Sequence, residues 1–346
     1  MSSPQVNSFR LIPELRAKIA SILIEQNISV IEVLCTEEGT CTFDVEGNRS
    51  YEFGHHYYLA RGIQRHIDKP IVIKIRIDNP SDPQDIYYRD KNFDIERKFY
   101  LFAKDITNLV PRLVCEGSNN ELRWLIYEFV PGTSLGPTFQ VSRSVEADHS
   151  VLLANSLIEL ATTALPIELN LTIRNARSHF ERLNKIIDQN AKYIGRYISQ
   201  DQQRQIGELN LQVSPELDKL AHYLCHGDFH PGNIIIEGSK ISIIDWETIH
   251  IDNYLFDASL LWLRLWNVPW RDRMLKLFLK NFPETISIPL LRHMILRHLI
   301  GEIVFWDRVI SENNPNFIDY SQSALMTHLE TLRKVLVDED ILPDGD

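Results

Sequence analysis

Apolar residues recur along this chain with two different periods, and the change of period divides it. Positions 1–10 carry no pattern. Over 13–26, Leu15, Ile19, Ile22 and Leu23 fall at helical spacing behind a proline suited to a first turn. Between 28 and 77 the spacing becomes that of strands. Segments 29–34, 40–45, 50–60 and 70–77 are β-branched or aromatic and are separated by Gly, Asn or Asp. Residues 79–90, rich in Pro and Asp, read as a surface loop, and 92–104 read as a helix with Phe93, Phe99 and Phe102 near one face. The runs LVPRLVCEG and LRWLIYEFVPGTSL give two more strands. Beyond Gly132 the period turns helical, over 145–165, 173–198 and 201–224, and again over 290–310 and 321–336. In the penultimate helix, Leu291, Met294, Ile295, Leu299, Ile303 and Trp306 make a core stripe.

One stretch breaks the helical half. In HGDFHPGNIIIEGSKISIIDWE, residues 226–247, two short apolar strands (234–236 and 241–244) flank a Gly-containing turn. Asp228 and Asn233 precede this hairpin and Asp245 follows it, so hairpin closure is expected to gather three oxygen-bearing side chains. That grouping suits phosphoryl transfer, which needs Mg2+ on hard oxygen ligands and a carboxylate to accept the proton of an attacking hydroxyl. Asn233 and Asp245 are the expected metal ligands, and Asp228 the expected base.

The strand-rich half fits the same chemistry. An antiparallel sheet can cover a nucleotide while a loop between two strands covers its phosphates. By position, Phe53-Gly54-His55-His56-Tyr57-Tyr58 is that loop, with Gly54 as its single glycine. In IVIKIRI, Lys74 could bind the α- and β-phosphates. Arg76 shares its strand parity and is the alternative, but Lys74 has more apolar neighbours and the chain leaves the strand at Asp78-Asn79-Pro80. The helix that follows offers Glu96, and on another face Asp94, to fix the lysine.

The strings HGDFHPGNIII and IIDWE resemble the catalytic loop and metal-binding segment of the aminoglycoside phosphotransferase family. That family includes choline-kinase-like enzymes and shares its fold with protein kinases. The likeness is most specific over 224–260 and looser over 50–135. It implies an α+β, bilobal protein-kinase-like fold, with an N-terminal antiparallel sheet lobe (1–130) and a mostly helical C-terminal lobe (131–346) that binds the acceptor. By the same resemblance Glu96 is the acidic partner of Lys74, and Tyr127–Gly132 is the hinge whose backbone, at Glu128 and Val130, meets adenine. His226 becomes an organiser of the catalytic loop, and Asp257 the acid that caps the next helix and holds that loop. ATP or another nucleoside triphosphate and Mg2+ are the implied cofactors, and a small-molecule hydroxyl is the acceptor. A nucleotide-binding pseudokinase is the alternative, suggested by the glycine-poor loop.

Composition adds limits. With 346 residues, 44% of them hydrophobic, the chain can bury a large core. No apolar run approaches a bilayer span and the first thirty residues lack a secretory pattern, so the expectation is a cytoplasmic protein off the membrane. The net charge of −11 argues against a nucleic-acid surface and is compatible with a cationic acceptor. Cys35, Cys41, Cys115 and Cys225 form no C-x-x-C pair and read as reduced structural thiols. His293 and His298 read as packing residues. Trp262, Trp266, Trp270 and Trp306 read first as core, and otherwise as the lining of an acceptor site.

Overall fold

The computed structural model describes residues 13–33, 57–66, 68–76, 83–103, 107–119, 122–135, 148–164, 167–220, 222–265, 268–281, 287–311 and 318–337. Its contacts divide the chain into two units, Met1–Pro137 with Ile235–Glu247, and Thr138–Ile234 with Thr248–Asp346.

The first unit is built on a five-stranded antiparallel sheet of β1 (Ile28–Val33), β2 (Tyr57–Gln64), β3 (Lys69–Arg76), β4 (Leu113–Ser118) and β5 (Arg123–Glu128). Its spatial order is β1-β2-β3-β5-β4, so β3 is central. Burial on both faces from Ile71 to Arg76 fits that place, since only a strand flanked by neighbours and covered on both sides is closed off so completely. On one face Ile71, Ile73 and Ile75 join Ile126 and Trp124, and Ile19 and Ile22 of α1 (Pro13–Glu25) close the cluster. The opposite parity holds Val72, Lys74 and Arg76. Lys74 and Arg76 are 5% and 3% exposed, so both cations are buried on that face.

The helix expected over 92–104 is longer. Helix α2 runs Pro83–Ala103, which corrects the loop assigned to 79–90. Pro83 opens the helix instead of breaking it, since a proline at the first position forfeits no intrahelical bond. The hairpin forms as read, with β8 (Ile234–Glu237) paired to β9 (Lys240–Ile243), and the two-residue β6 (Thr133–Ser134) adds to β8. Gly132 sits at φ +131, where an added Cβ would lie 2.5 Å from the Ile236 carbonyl oxygen, so this close approach admits only glycine. Segment 40–45 and Gly54 lie outside the described residues, as do Cys35, Cys41 and Trp266.

The second unit is helical. It contains α3 (Ser150–Thr162), α4 (Ala176–Gln189), α5 (Ala191–Ile194), α6 (Gln200–Leu220), α7 (Leu255–Arg264), α8 (Val268–Leu279), α9 (Ile288–Ser311) and α10 (Ile318–Leu336). The single helix expected over 173–198 divides at Asn190, and 223–225 is a strand, β7 (Tyr223–Cys225), paired antiparallel with β10 (His250–Asp252). Helix α9 packs against α4, α5, α6, α7 and α10 and is the axis of this core. All six residues of its expected stripe are buried, as are Trp262 and Trp270. Among the described residues no helix is long and apolar enough to cross a membrane.

Candidate active site

In the first unit the chemistry gathers around Lys74. Its Nζ donates to Glu96 Oε2 and to Asp245 Oδ1, both at 2.8 Å, and lies 3.6 Å from Glu247 Oε2. Strand β3 presents the lysine and α2 the glutamate. Asp94, the other acid on that helix, pairs instead with Arg123 at 2.9 Å. Asp245 arrives from the end of β9, which is fastened by the Ile243 N–H to the Leu109 carbonyl (2.7 Å) and by Trp246 Nε1 to the Ile243 carbonyl (2.7 Å). The Trp246 ring rests 4.5 Å from that of Phe99 on α2. Asp245 itself has φ +65, a left-handed conformation that costs a non-glycine residue on the order of 1 kcal/mol and persists where surrounding contacts impose it.

Carboxylate oxygens of Glu96, Asp245 and Glu247 lie within 4.8 Å of one another around this ammonium. Burial lifts the Glu96 carboxyl to about 7; Lys74 opposes the rise, and Asp245 and Glu247 add to it. One ammonium cannot neutralise three carboxylates, and the remaining donors are hard oxygens, so the residues present fit a divalent cation of the Mg2+ type. Glu247 was quoted in the sequence only as the end of the Asp-Trp-Glu string, and its distance of two residues from Asp245 was the available signal.

In the second unit the loop 226–233 joins β7 to β8 and holds Asp228 and Asn233. Gly227, at φ +89, lets the loop turn where any Cβ would run into the Thr248 carbonyl and the His250 ring. His226 is buried, and its Nδ1 accepts the Asp228 N–H at 3.2 Å. His230 Nδ1 accepts the Gly232 N–H at 3.0 Å, which leaves Nε2 as the protonated nitrogen, 3.3 Å from Asp228 Oδ2. Arg264 Nη1, from the end of α7, reaches Asp228 Oδ1 at 3.4 Å and its Nη2 pairs with Glu302 at 2.6 Å. Burial would raise the Asp228 carboxyl, but His230, Arg264 and His226 outweigh it and hold the group well below the usual carboxylate range. The depressed value means that Asp228 stabilises the fold above the ordinary aspartate range and loses that contribution only as pH falls through the lowered value. Asn233 Nδ2 donates to the Asp228 carbonyl at 3.0 Å, which fixes the amide orientation and leaves Oδ1 as the acceptor atom of the side chain.

Asp257 behaves differently from a helix cap. The N-cap of α7 is Tyr254, with no side-chain cap bond. Asp257 accepts the His226 N–H at 2.6 Å and the Gly227 N–H at 2.9 Å, so it ties α7 to the loop. Burial lifts its carboxyl to about 7, against the pull of those two donors. A folded value above the unfolded 3.8 means that this carboxyl favours the fold most at low pH, and the contribution is lost as pH rises to about 7. Asp257→Ala should strand two buried N–H groups and cost about 1–3 kcal/mol for each. Urea unfolding between pH 4 and pH 8 checks this, and the variant should also decline less steeply than wild type over that interval, with the share due to Glu96 retained.

A central antiparallel sheet with a buried Lys–Glu pair, followed by helices that carry H-x-D and a downstream Asn, defines an α+β kinase-like fold. The family model described as "Phosphotransferase enzyme family" matches residues 84–284, more than half of the chain, and the protein belongs to that family. An aminoglycoside 3'-phosphotransferase of Streptomyces ribosidificus is 27% identical over 134 residues, 37% of this chain; the match spans about half of that relative's length (47%). Among solved structures, the macrolide 2'-phosphotransferase of Brachybacterium faecium superposes with a TM-score of 0.54 at 13% identity, covering 96% of this chain and 100% of that one. The aminoglycoside phosphotransferase APH(4)-Ia gives 0.55 at 15%, covering 91% and 99%. At these identities the structural likeness speaks for the fold, and it agrees with the fold class expected from the sequence.

Proposed function

We propose that the protein moves the γ-phosphoryl group of a nucleoside triphosphate, ATP in the first instance, onto a hydroxyl of a small molecule. The observation that carries this reading is the buried Lys74 held between Glu96 and Asp245, an arrangement suited to gripping polyphosphate beside a divalent cation. Solved relatives of the same fold, one described with AMP-PNP and hygromycin B and one as a streptomycin–ATP complex, lend support for a nucleotide and a small acceptor.

In this reading Lys74 positions the α- and β-phosphates, and Glu96 keeps the lysine extended. Gly54 belongs to the loop that covers the phosphates. The adenine edge meets the hinge backbone; the Glu128 N–H already donates to the Arg112 carbonyl at 2.9 Å, so the bond falls to the Val130 N–H and the carbonyls. Asn233 and Asp245 would hold Mg2+, which supplies charge neutralisation of the phosphate oxygens. Asp228, already ionised at neutral pH, orients the acceptor hydroxyl and takes its proton as the bond to phosphorus forms. Because the transition state is loose, such a weakly basic carboxylate suffices, and positioning with electrostatic complementarity supplies most of the rate. A cytoplasmic location, where the nucleotide is abundant, belongs to the same reading. Coupled ADP release tests it across alcohols that include aminoglycosides, amino alcohols, sugars and sugar derivatives. Magnesium-dependent release that requires an added acceptor is expected, whereas ADP release indifferent to every acceptor speaks against it.

A further inference from the structure

The helical unit contains a cleft of ≈ 160 Å³ lined in part by Asp228, room for on the order of ten waters or one small head group and its stem. Its charges run against the rest of the molecule. In a chain of net charge −11, four arginines, Arg174, Arg182, Arg264 and Arg297, line it against two carboxylates, Asp228 and Glu302. Both of those carboxylates are already bonded to Arg264. The other three arginines have no carboxylate in salt-bridge range among the described residues. Arg297 is 4% exposed, its Nε has no hydrogen-bond partner, and its guanidinium stacks 4.4 Å from the centre of the Phe256 ring. Arg174 lies 5.2 Å from the same ring, and its backbone N–H is fixed to the Ile251 carbonyl at 2.8 Å. Arg182 stands exposed on α4. The nearby Asp252 offsets part of their charge through space but makes no ion pair with them, its oxygens being engaged by His179 at 2.8 Å, His250 at 3.3 Å and the Asn253 N–H at 2.7 Å.

We propose that this cleft is the acceptor pocket and that it selects a hydroxyl compound bearing an anionic head group, a phosphate or a carboxylate, held by Arg174, Arg182 and Arg297 with its hydroxyl toward Asp228. The identification as an acceptor pocket rests on the phosphotransfer reading; the anion preference rests on the arginines alone. Guanidinium forks match carboxylate and phosphate oxygens bidentately, and a buried fork without a counterion gains most from one. Crowding supports this, since burial and then the neighbouring Arg182 push Arg174 down to about 10, and burial with Arg174 lowers Arg297. A polycationic acceptor of the aminoglycoside kind would meet three arginines that have no carboxylate partner, so the cationic acceptor compatible with the net charge gives way in this proposal to an anionic one. In the transfer, the acceptor oxygen bonds to the γ-phosphorus while the bond from that phosphorus to the β,γ-bridging oxygen breaks. The electron pair of the broken bond leaves with the nucleoside diphosphate, and the hydroxyl proton goes to Asp228 and then to solvent.

Three acceptors on one polyol skeleton test the charge preference, namely sorbitol phosphate, sorbitol and the amino derivative glucamine. Calorimetry under saturating Mg-ADP reads binding, and ADP release with Mg-ATP reads turnover. Sorbitol phosphate should bind at least about tenfold more tightly than glucamine. Arg174→Gln and the exposed, fold-neutral Arg182→Gln should each weaken sorbitol phosphate by about tenfold, the worth of one charge-assisted contact, with Mg-ADP affinity held within about twofold. Equal binding of the three compounds, or variants that leave the phosphate preference intact, would overturn the anion site. Arginine-dependent anion binding without turnover of any compound would sustain the anion site and sink the transfer reading. Turnover confined to glucamine or sorbitol would do the reverse.

Discussion

Asp228→Asn is expected to lower turnover by about a hundredfold to ten-thousandfold, the usual contribution of a positioned proton acceptor, while Mg-ATP binding stays near wild type. The substitution is nearly isosteric, so the loop keeps its shape. Its neighbours are not stranded either. Arg264 retains Glu302 at 2.6 Å, and His230 can still donate to the amide oxygen. Because the carboxylate is partly exposed, at 37%, fold stability should move by less than about 1 kcal/mol. The signature is therefore a fall in kcat with an unchanged calorimetric affinity for Mg-ATP and an unchanged melting temperature. Retention of most of the turnover would remove Asp228 from the role of base.

Asp245→Ala should fail differently, at nucleotide binding. The wild-type carboxylate bonds Lys74 at 2.8 Å and is assigned to the metal. Charged contacts of this kind are worth about 1.5–3 kcal/mol each, so the magnesium-dependent affinity for ATP should fall on the order of a hundredfold or more. Lys74 keeps Glu96 at 2.8 Å and Glu247 at 3.6 Å, which protects the fold and makes the loss specific. Removing the side chain also relieves none of the backbone strain at φ +65, since alanine is no freer there than aspartate. Calorimetric titration of ATP in the presence and in the absence of magnesium separates the outcomes. An affinity equal to wild type in both conditions would contradict the metal role.

How much of this was legible in the sequence follows from how local each feature is. The β8–β9 hairpin and the placing of Lys74 on a covered strand were readable because period, turn chemistry and chain order all point one way within a few residues. The choice of Glu96 over Asp94 needed the helix face, which the order strand, loop, helix suggested and the Arg123–Asp94 pair makes explicit. Element edges were misread where one residue has two meanings. Pro83 was taken as a breaker and is a helix start, and Asn190 was passed over though it ends α4. Helix α8 went unassigned because Pro269 and its scattered charges obscure the apolar spacing. The arginine cleft was beyond the sequence altogether. Its arginines come from the segment beside the bridge at Ile173 and from α4, α7 and α9, and nothing in their spacing tells which faces of those helices meet. Net charge, a sum over the whole chain, carries no information on the sign of one local cleft.

The central claim is that a phosphoryl group leaves the nucleotide and ends on an acceptor hydroxyl. The most direct measurement is to follow γ-labelled ATP with magnesium through incubation with the acceptor panel and to identify the labelled products. The account predicts label in an acid-stable phosphate ester of a small-molecule alcohol, absent from Asp228→Asn. Tight Mg-ATP binding with the label remaining in ATP, whatever alcohol is offered, would mark a nucleotide-binding pseudokinase, and label appearing only as inorganic phosphate would mark hydrolysis; either result would contradict the account.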